Sequence, residues 1–216
     1  MEVLTRVGRR RFLATALTLG VAASLPMKRV FAANASENAA AVNTVQRLNA
    51  ALMDILANGE TLKFEGRYQK LQPVLASVFD IPEMARVATG PKWNALSDAD
   101  RQAMTELFGR YMTTMYAARF RGQGGETLEM GDAKARDDGK MLVLTKLTRK
   151  NGEVVDLSYL LRGSADSWHV VDVYYNGAIS QMAQLRSEFS APMRDGGIEK
   201  LKAVLGDKIQ QMQGGS

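Results

Sequence analysis

The chain has 216 residues, with 28 Lys and Arg, 23 Asp and Glu, one His and no Cys. Its length suits one domain with a complete hydrophobic core. The lack of Cys excludes disulfides, thiolate metal sites and a Cys nucleophile, and the single His excludes metal sites that need several His ligands.

The net charge of +5 is confined to the first 35 residues, which hold six Lys and Arg against Glu2 alone. Residues 36–216 carry 22 basic and 22 acidic side chains and are neutral overall. Because a nucleic-acid-binding domain needs a surplus of Lys and Arg, the sequence predicts no nucleic-acid partner.

Residues 1–35 have the three parts of a cleavable signal peptide. A basic segment precedes an apolar run at residues 12–25, which is shorter than the about 20 residues of a membrane-spanning helix. Small residues then favour cleavage after Ala32 or Ala35. Residues 9–13, Arg-Arg-Arg-Phe-Leu, resemble a twin-arginine export signal, and the alternative is a general-secretion signal with a chance Arg cluster. Both interpretations predict an exported protein.

The remaining chain, residues 36–216, is predicted to form a single domain that begins with helices. Apolar residues three or four positions apart indicate the buried faces, and Ser, Pro and Gly mark the ends. The predicted helices are 36–59, 62–79 with a break at Pro73, a short helix between Asp80 and Gly90, and 97–120.

Beyond residue 125 the apolar period changes to two, which is typical of strands. Short turns rich in Asp, Asn, Gly and Ser separate the strands, so neighbours are expected to be antiparallel and to form a meander. Two more helices are predicted at 177–193 and 198–212. The sequence therefore predicts an α+β fold, with helices over one face of a four-stranded antiparallel sheet. The four strands are 127–136, 141–148, 154–162 and 168–175.

Catalytic and metal-binding motifs are missing from the sequence. His169 and Asp172 lie three residues apart on one predicted strand, so their side chains are expected on opposite faces, where they cannot form a dyad. Asp98, Asp100 and residues 137–138 occupy cap and turn positions, where carboxylates stabilise the backbone. The sequence contains neither a P-loop nor a G-x-S-x-G motif. We therefore expect no metal, no cofactor and no enzyme active site.

Ten of the twelve Met residues lie in the predicted domain, together with most of the aromatic residues. One interpretation is an ordinary packed core. The other is a pocket for a flexible apolar ligand, because thioether chains adapt to variable shapes and helices over a curved sheet can enclose a cavity. Composition does not choose between them.

Several stretches in chain order carry a family resemblance. Residues 168–180 read Trp-His-Val-Val-Asp-Val-Tyr-Tyr-Asn-Gly-Ala-Ile-Ser, residues 185–189 read Leu-Arg-Ser-Glu-Phe, and residues 64–68 read Phe-Glu-Gly-Arg-Tyr. They resemble the MlaC family of periplasmic phospholipid-binding proteins, also known by its toluene-tolerance name. That family usually has Gly-Val-Ser where residues 177–180 read Gly-Ala-Ile-Ser. This longer string resembles the hopanoid-biosynthesis-associated HpnM branch.

The resemblance implies a soluble periplasmic lipid carrier that is not an enzyme and needs no cofactor. It implies a deep apolar cavity between helices and sheet, which holds the tails of a phospholipid or hopanoid-type lipid and leaves the headgroup at the mouth. It further implies two partners, an inner-membrane ABC transporter with an MCE-domain subunit and an outer-membrane lipoprotein complex.

Two other hypotheses remain open from the sequence. An enzyme acting on an isoprenoid lipid in the same pocket would need an acid or base there, and the strands offer Asp156, His169 and Asp172. An interaction adaptor would have a filled core and no ligand.

The helix at 97–120 indicates where a cavity would lie. Its apolar residues cover more than one stripe, whereas a surface helix needs only one, so contact on two sides is expected. The predicted lipid-binding residues come from this helix, the sheet and the start of the next helix: Tyr111, Met112, Met115, Tyr116, Phe120, Leu157, Tyr159, Leu161, Ile179 and Met182.

Overall fold

The computed structural model describes residues 27–122, 124–165 and 167–215, with side chains from residue 38 onward. The helices are α1 (Met27–Val78), α2 (Ile81–Thr89), α3 (Asp98–Arg119) and α4 (Gln181–Gly214), and a 3₁₀ turn covers Pro91–Ala95. The strands are β1 (Thr127–Ala135), β2 (Met141–Thr148), β3 (Val154–Ser164), β4 (Ser167–Tyr175) and β5 (Ile179–Ser180). The predicted signal peptide falls largely on residues 1–26, which lie outside the described residues, so it stays a prediction.

The helices occur in the predicted order, and their two interruptions lie next to or between predicted helix boundaries, whereas α1 continues through Pro73. α1 begins at Met27, before the predicted start at Ser36. It is interrupted at Lys63 rather than at Pro73, because Lys63 has a φ of 54° and a ψ of −174°, outside the helical region. α4 is interrupted in the same way at Gly197, which has a φ of 65° and lies between the two helices predicted there.

Side-chain caps fix where three of the helices start. The carboxylate of Asp80 and the hydroxyls of Ser97 and Ser180 each accept a hydrogen bond from the backbone N–H three residues later. Such caps satisfy N–H groups that have no partner within the helix. The Ser97 cap was expected from the sequence and is confirmed.

The sheet is an antiparallel meander in the order β1-β2-β3-β4-β5. The predicted α+β class and the four long strands are confirmed. The predicted number of strands is wrong by one, since Ile179 and Ser180 pair with Tyr175 and Tyr174 as β5. A strand of two residues is too short to show a period of two, so no sequence pattern could identify it.

A β-bulge changes the predicted faces of β4. Leu161 pairs with Val170, but its neighbour Leu160 pairs with Asp172, so β4 carries one extra residue at this point. As a result His169, opposite Arg162, and Asp172, opposite Leu160, lie on the same face. The expectation of opposite faces is therefore wrong.

The helices form a layer over the inward face of the sheet. α3 lies against α1, α2 and α4, and α1 also contacts β1, β2 and β4. Alternate residues of β2 point into the core, from Met141 to Leu147, while their neighbours are half-buried or exposed. Among the helices of the described residues, none combines the length and apolar character needed to cross a membrane.

Candidate functional site

A cavity of about 610 Å³ lies between the C-terminal end of α3 and the inward face of the sheet. This volume falls within the range of about 300–1,000 Å³ that is typical of small-molecule sites. The cavity is lined by Tyr116, Arg119, Phe120, Arg121, Gly122, Glu126, Leu147, Arg149, Lys150, Asn151, Val155, Leu157, Tyr159, Val173 and Tyr175.

Aromatic and aliphatic side chains form its walls. On the helix side, the rings of Tyr116 and Phe120 are stacked, with centroids 5.7 Å apart and planes at 17°. The ring of Phe79 contacts the ring of Tyr116 edge-on, with the two centroids 5.6 Å apart. On the sheet side, Leu157 and Tyr159 alternate along β3 and present the same face. These walls bring together two elements that lie some forty positions apart in the sequence.

Two tyrosine hydroxyls add polarity within this apolar space. Tyr116 and Tyr159 are both buried, and burial raises the pKa of each phenol above its ordinary value. Both residues therefore stay neutral at physiological pH. Within the described part of the chain, neither hydroxyl makes a hydrogen bond to protein. The two groups can thus donate to or accept from a ligand.

The mouth of the cavity is polar and rich in cations. Arg119 is the last residue of α3 and Arg121 follows it closely, whereas Arg149 and Lys150 lie in the turn between β2 and β3. Glu126, just before β1, is the carboxylate among the lining residues. An apolar interior with a charged rim can hold an amphiphile whose polar end faces solvent.

A buried arginine shapes the helix-side wall. Arg67 is 4% exposed, and its Nε and Nη1 donate to the carbonyls of Ala117 and Gly59 at 2.8 and 3.0 Å. It thereby ties the last turn of α3 to α1. Burial, and then the nearby charge of Arg121, hold the pKa of this guanidinium below its ordinary value. Residues 64–68 contributed to the family resemblance, but nothing in the sequence indicated this role.

Glycines let the chain after α3 cross α1 closely. A Cβ on Gly59 would overlap the carbonyl of Arg121, and one on Gly122 would lie 2.6 Å from the carbonyl of Ile55. Gly122 also has a φ of 72°, which favours glycine. Gly122 is therefore a closely packed part of the cavity wall.

The predicted lipid-binding residues divide into two groups. Tyr116, Phe120, Leu157 and Tyr159 line the cavity. The other six do not.

Those six lie in the solid core, near a second depression or at the surface. Tyr111, Met112 and Leu161 are core residues, and Tyr111 contacts Phe189 of α4. Met115 faces α4, where its sulfur accepts a hydrogen bond from Gln181 Nε2 at 3.3 Å. Met182 borders a shallower depression beside α2 and α4, and Ile179 is 47% exposed.

The lining that sequence analysis missed is mostly charged or comes from the sheet. Val155 was recognised as an inward residue of β3, whereas Leu147, Val173 and Tyr175 were not singled out. The period-two pattern could have identified them, since Tyr175 and Leu157 are paired neighbours. The cations of the mouth follow no periodic pattern.

The three strand residues considered as catalytic acids or bases lie outside this cavity. Asp156 and His169 are not among its lining residues. Asp172 borders the second depression and is 8% exposed. Its carboxylate accepts hydrogen bonds from the backbone N–H of Val173 and Met182 and from the hydroxyl of Ser180, at 2.6–3.1 Å. Asp172 thereby anchors the turn from β4 to α4.

Metal binding finds no support in the described residues. They contain no group of three or more His, Asp or Glu side chains placed to hold an ion. The arrangement at the large cavity is instead suited to binding: apolar walls, two neutral hydroxyls and a charged mouth.

Fold and cavity together define an α+β ligand-binding domain with an apolar pocket between helices and sheet. The sequence model of the MlaC protein family matches residues 46–207. The chain therefore belongs to the MlaC family.

Individual relatives agree with this assignment. The chain is 26% identical over 158 residues to the toluene tolerance protein Ttg2D of Pseudomonas putida, covering 72% of this chain and 73% of that protein. Its fold is similar to that of a phospholipid-binding protein from Ralstonia solanacearum, whose structure contains a phospholipid. The TM-score is 0.67 at 20% identity, covering 82% of this chain and 98% of the other.

Proposed function

We propose that this protein is a periplasmic lipid carrier that buries the apolar tails of a phospholipid or hopanoid-type lipid in the cavity between α3 and the sheet. The observation that carries this proposal is the 610 Å³ apolar cavity in a chain of the MlaC family. The phospholipid in the similar Ralstonia solanacearum structure supports the same ligand class.

The hydrophobic effect supplies enough free energy for such a carrier. Each buried CH₂ contributes about 0.8 kcal/mol, so an acyl chain gains several kcal/mol on leaving water. Aromatic and aliphatic walls suffice for this, and they need no covalent chemistry. We therefore propose a binding function without enzymatic activity.

Transport between membranes completes the proposal. The predicted signal peptide would export the chain to the periplasm, where it would receive and deliver lipid. We infer from family membership that its partners are an inner-membrane ABC transporter with an MCE-domain subunit and an outer-membrane lipoprotein complex. The neutral charge of residues 36–216 fits a protein that must leave an anionic membrane after loading.

The string that resembles the HpnM branch lies outside the cavity. Gly177 and Ala178 lie in the turn between β4 and β5, and Ile179 is exposed on β5. None of them lines the cavity. We therefore propose that direct contacts to the lipid come from the cavity and its mouth.

Native mass spectrometry of the protein purified from its own periplasm tests the proposal. We expect a bound mass that organic extraction removes and that matches a membrane lipid. A chemically altered lipid would favour the enzyme hypothesis. Protein that is free of lipid, and that takes up none from vesicles, would favour the adaptor with no ligand.

A further inference from the structure

The cavity mouth concentrates positive charge in an otherwise neutral domain. Four of its lining residues are basic and one is acidic, whereas residues 36–216 as a whole are balanced at 22 of each. The four cations line the same cavity from two separate elements, the end of α3 and the β2–β3 turn. A cleft lined by one sign of charge focuses the electrostatic potential on its opening.

The two arginines after α3 are held by neutral acceptors. Arg119 Nη1 donates to the hydroxyl of Tyr175 at 2.8 Å, and its guanidinium lies 5.8 Å from the centre of that ring. Arg121 donates to the carbonyls of Ala118 and Gly215, both at 2.9 Å. No ion pair to either arginine occurs within the described residues. Their positions are thus fixed by neutral acceptors rather than by carboxylates of the described residues.

Across the mouth, Arg149 is only weakly compensated. Its Nε lies 3.7 Å from a carboxylate oxygen of Glu153, and both side chains are about half exposed. Exposed pairs of this kind contribute little, and their charges remain available to a ligand. Arg149 keeps further N–H donors for a second partner.

Two more charged groups, Arg67 and Glu126, contribute to the electrostatic potential at the mouth. Arg67 is buried without a carboxylate partner in the described residues, and burial, followed by the nearby charge of Arg121, holds its pKa below the ordinary value. Glu126 has one oxygen, Oε2, that is buried and accepts no hydrogen bond there. Among the lining residues, three arginines against the single carboxylate of Glu126 leave a surplus of positive charge.

We propose that the mouth selects lipids whose headgroup is a phosphate diester with a net negative charge. The phosphate would lie between the guanidinium groups of Arg119 and Arg121 on one side and Arg149 on the other. Arginine forks match phosphate oxygens in pairs of charge-assisted hydrogen bonds. A headgroup ammonium would meet the same cations and be repelled. This inference rests on the proposed carrier function and adds its headgroup preference.

A competition between two lipids tests the preference. The delipidated protein is incubated with vesicles of equal parts phosphatidylglycerol and phosphatidylcholine, isolated again, and its lipids are counted by mass spectrometry. We expect phosphatidylglycerol to be enriched by roughly fivefold or more, which corresponds to about 1 kcal/mol, because both lipids carry the phosphate and only phosphatidylcholine brings an ammonium close to the cations. High salt should reduce the enrichment, since the mouth is open to solvent.

The double variant Arg119→Gln, Arg121→Gln should bring the ratio of the two lipids towards one. The matched control is Lys134→Gln, Lys146→Gln, which removes the same charge from exposed residues outside the cavity and should keep the enrichment. Circular dichroism checks folding. Arg149→Gln, which loses only the exposed pair with Glu153, gives a second reading should the double variant misfold.

Several results would overturn the inference. Two results would overturn the headgroup preference and leave the carrier function standing. One is equal uptake of both lipids by the unaltered protein. The other is undiminished enrichment in both the double variant and Arg149→Gln. Loss of enrichment in inorganic phosphate, but not in sodium chloride of the same ionic strength, would assign the cations to the free anion. If Glu126→Gln no longer takes up phosphatidylethanolamine, the carboxylate of Glu126 would be binding the headgroup ammonium. The mouth would then recognise a zwitterionic headgroup. No uptake of any lipid would overturn the carrier function as well.

Discussion

The two ends of α3 use the same kinds of side chain for opposite purposes. From Met104 to Met115 its apolar residues, apart from the half-buried Leu107, are buried in the solid core. One residue further on, Tyr116 faces the open cavity, and Phe120 stacks on it. A run of Met and aromatic residues therefore indicates burial, but it does not distinguish a wall packed on both sides from one that borders empty space.

The difference arises from what stands opposite each end. The first part of the helix is covered by α4, with Phe189 against Tyr111 and Gln181 against Met115. The last turn instead faces the strands across the cavity. There, Arg67 and the close crossing at Gly59 hold the wall in place from the α1 side. The opening is thus created by long-range contacts.

The largest effect is expected at the closed end of α3, the part from Met104 to Met115 that is packed in solid core. Phe108→Ala removes a fully buried ring and should lower the free energy of unfolding by about 3–5 kcal/mol, because the core cannot collapse to fill the space. Urea denaturation measures this. The exposed Gln102→Ala on the same helix serves as control and should change it by less than about 0.5 kcal/mol. A small loss for Phe108→Ala would show that this end is loosely packed.

A pair of tryptophan substitutions separates the two ends directly. Met115→Trp overfills solid core and should cost about 1–3 kcal/mol while the content of bound lipid stays the same. Leu157→Trp places its indole in the cavity, so it should displace lipid with a smaller loss of stability. Lipid content and melting temperature are measured together. Lipid loss in Met115→Trp alone would move the pocket to the α4 side of α3.

Sequence reasoning succeeded where a pattern is local and repeated. The long strands and the helix order follow from periods of two and of three to four, and Ser97 was recognised as a cap from its position. The bulge in β4 has no such signature. One extra residue reversed the predicted faces of His169 and Asp172.

The cavity itself was predictable only in outline. Tyr116 and Tyr159 could be named from their faces, but Met115 differs from Tyr116 only in which neighbour covers it. The charged mouth depends on the β2–β3 turn meeting the end of α3. Contacts between segments so far apart in the chain produce no periodic pattern in a single sequence.

A third prediction concerns the turn that sets α4 against the closed end. Asp172→Asn keeps the shape of the side chain but replaces the negative charge that accepts hydrogen bonds from Ser180 and from the N–H of Met182 at the start of α4. We expect a loss of about 1–3 kcal/mol with lipid still bound. Thermal unfolding and mass spectrometry measure the two quantities. Full stability with lost lipid transfer would instead give Asp172 a role in transport.

The smallest expected effect depends on pH and concerns the first turn of α3, where Lys202 of α4 donates to Asp100 at 2.8 Å. This hydrogen bond, and then the one from Ser97, hold the pKa of the Asp100 carboxyl below its ordinary value. A carboxyl whose pKa is lowered by folding stabilises the protein above its unfolded pKa of about 3.9, and this contribution is lost as the pH falls through the folded pKa. The melting temperature of Asp100→Asn should therefore lie below that of the unaltered protein at neutral pH, and the two should converge in acid.

Asp98→Asn is the matched control, because Asp98 lies in the same turn but, among the described residues, pairs with Arg101 and is fully exposed. A difference for Asp100→Asn that stays constant with pH, or one that Asp98→Asn reproduces, would mean that the closed end is held by apolar contacts alone.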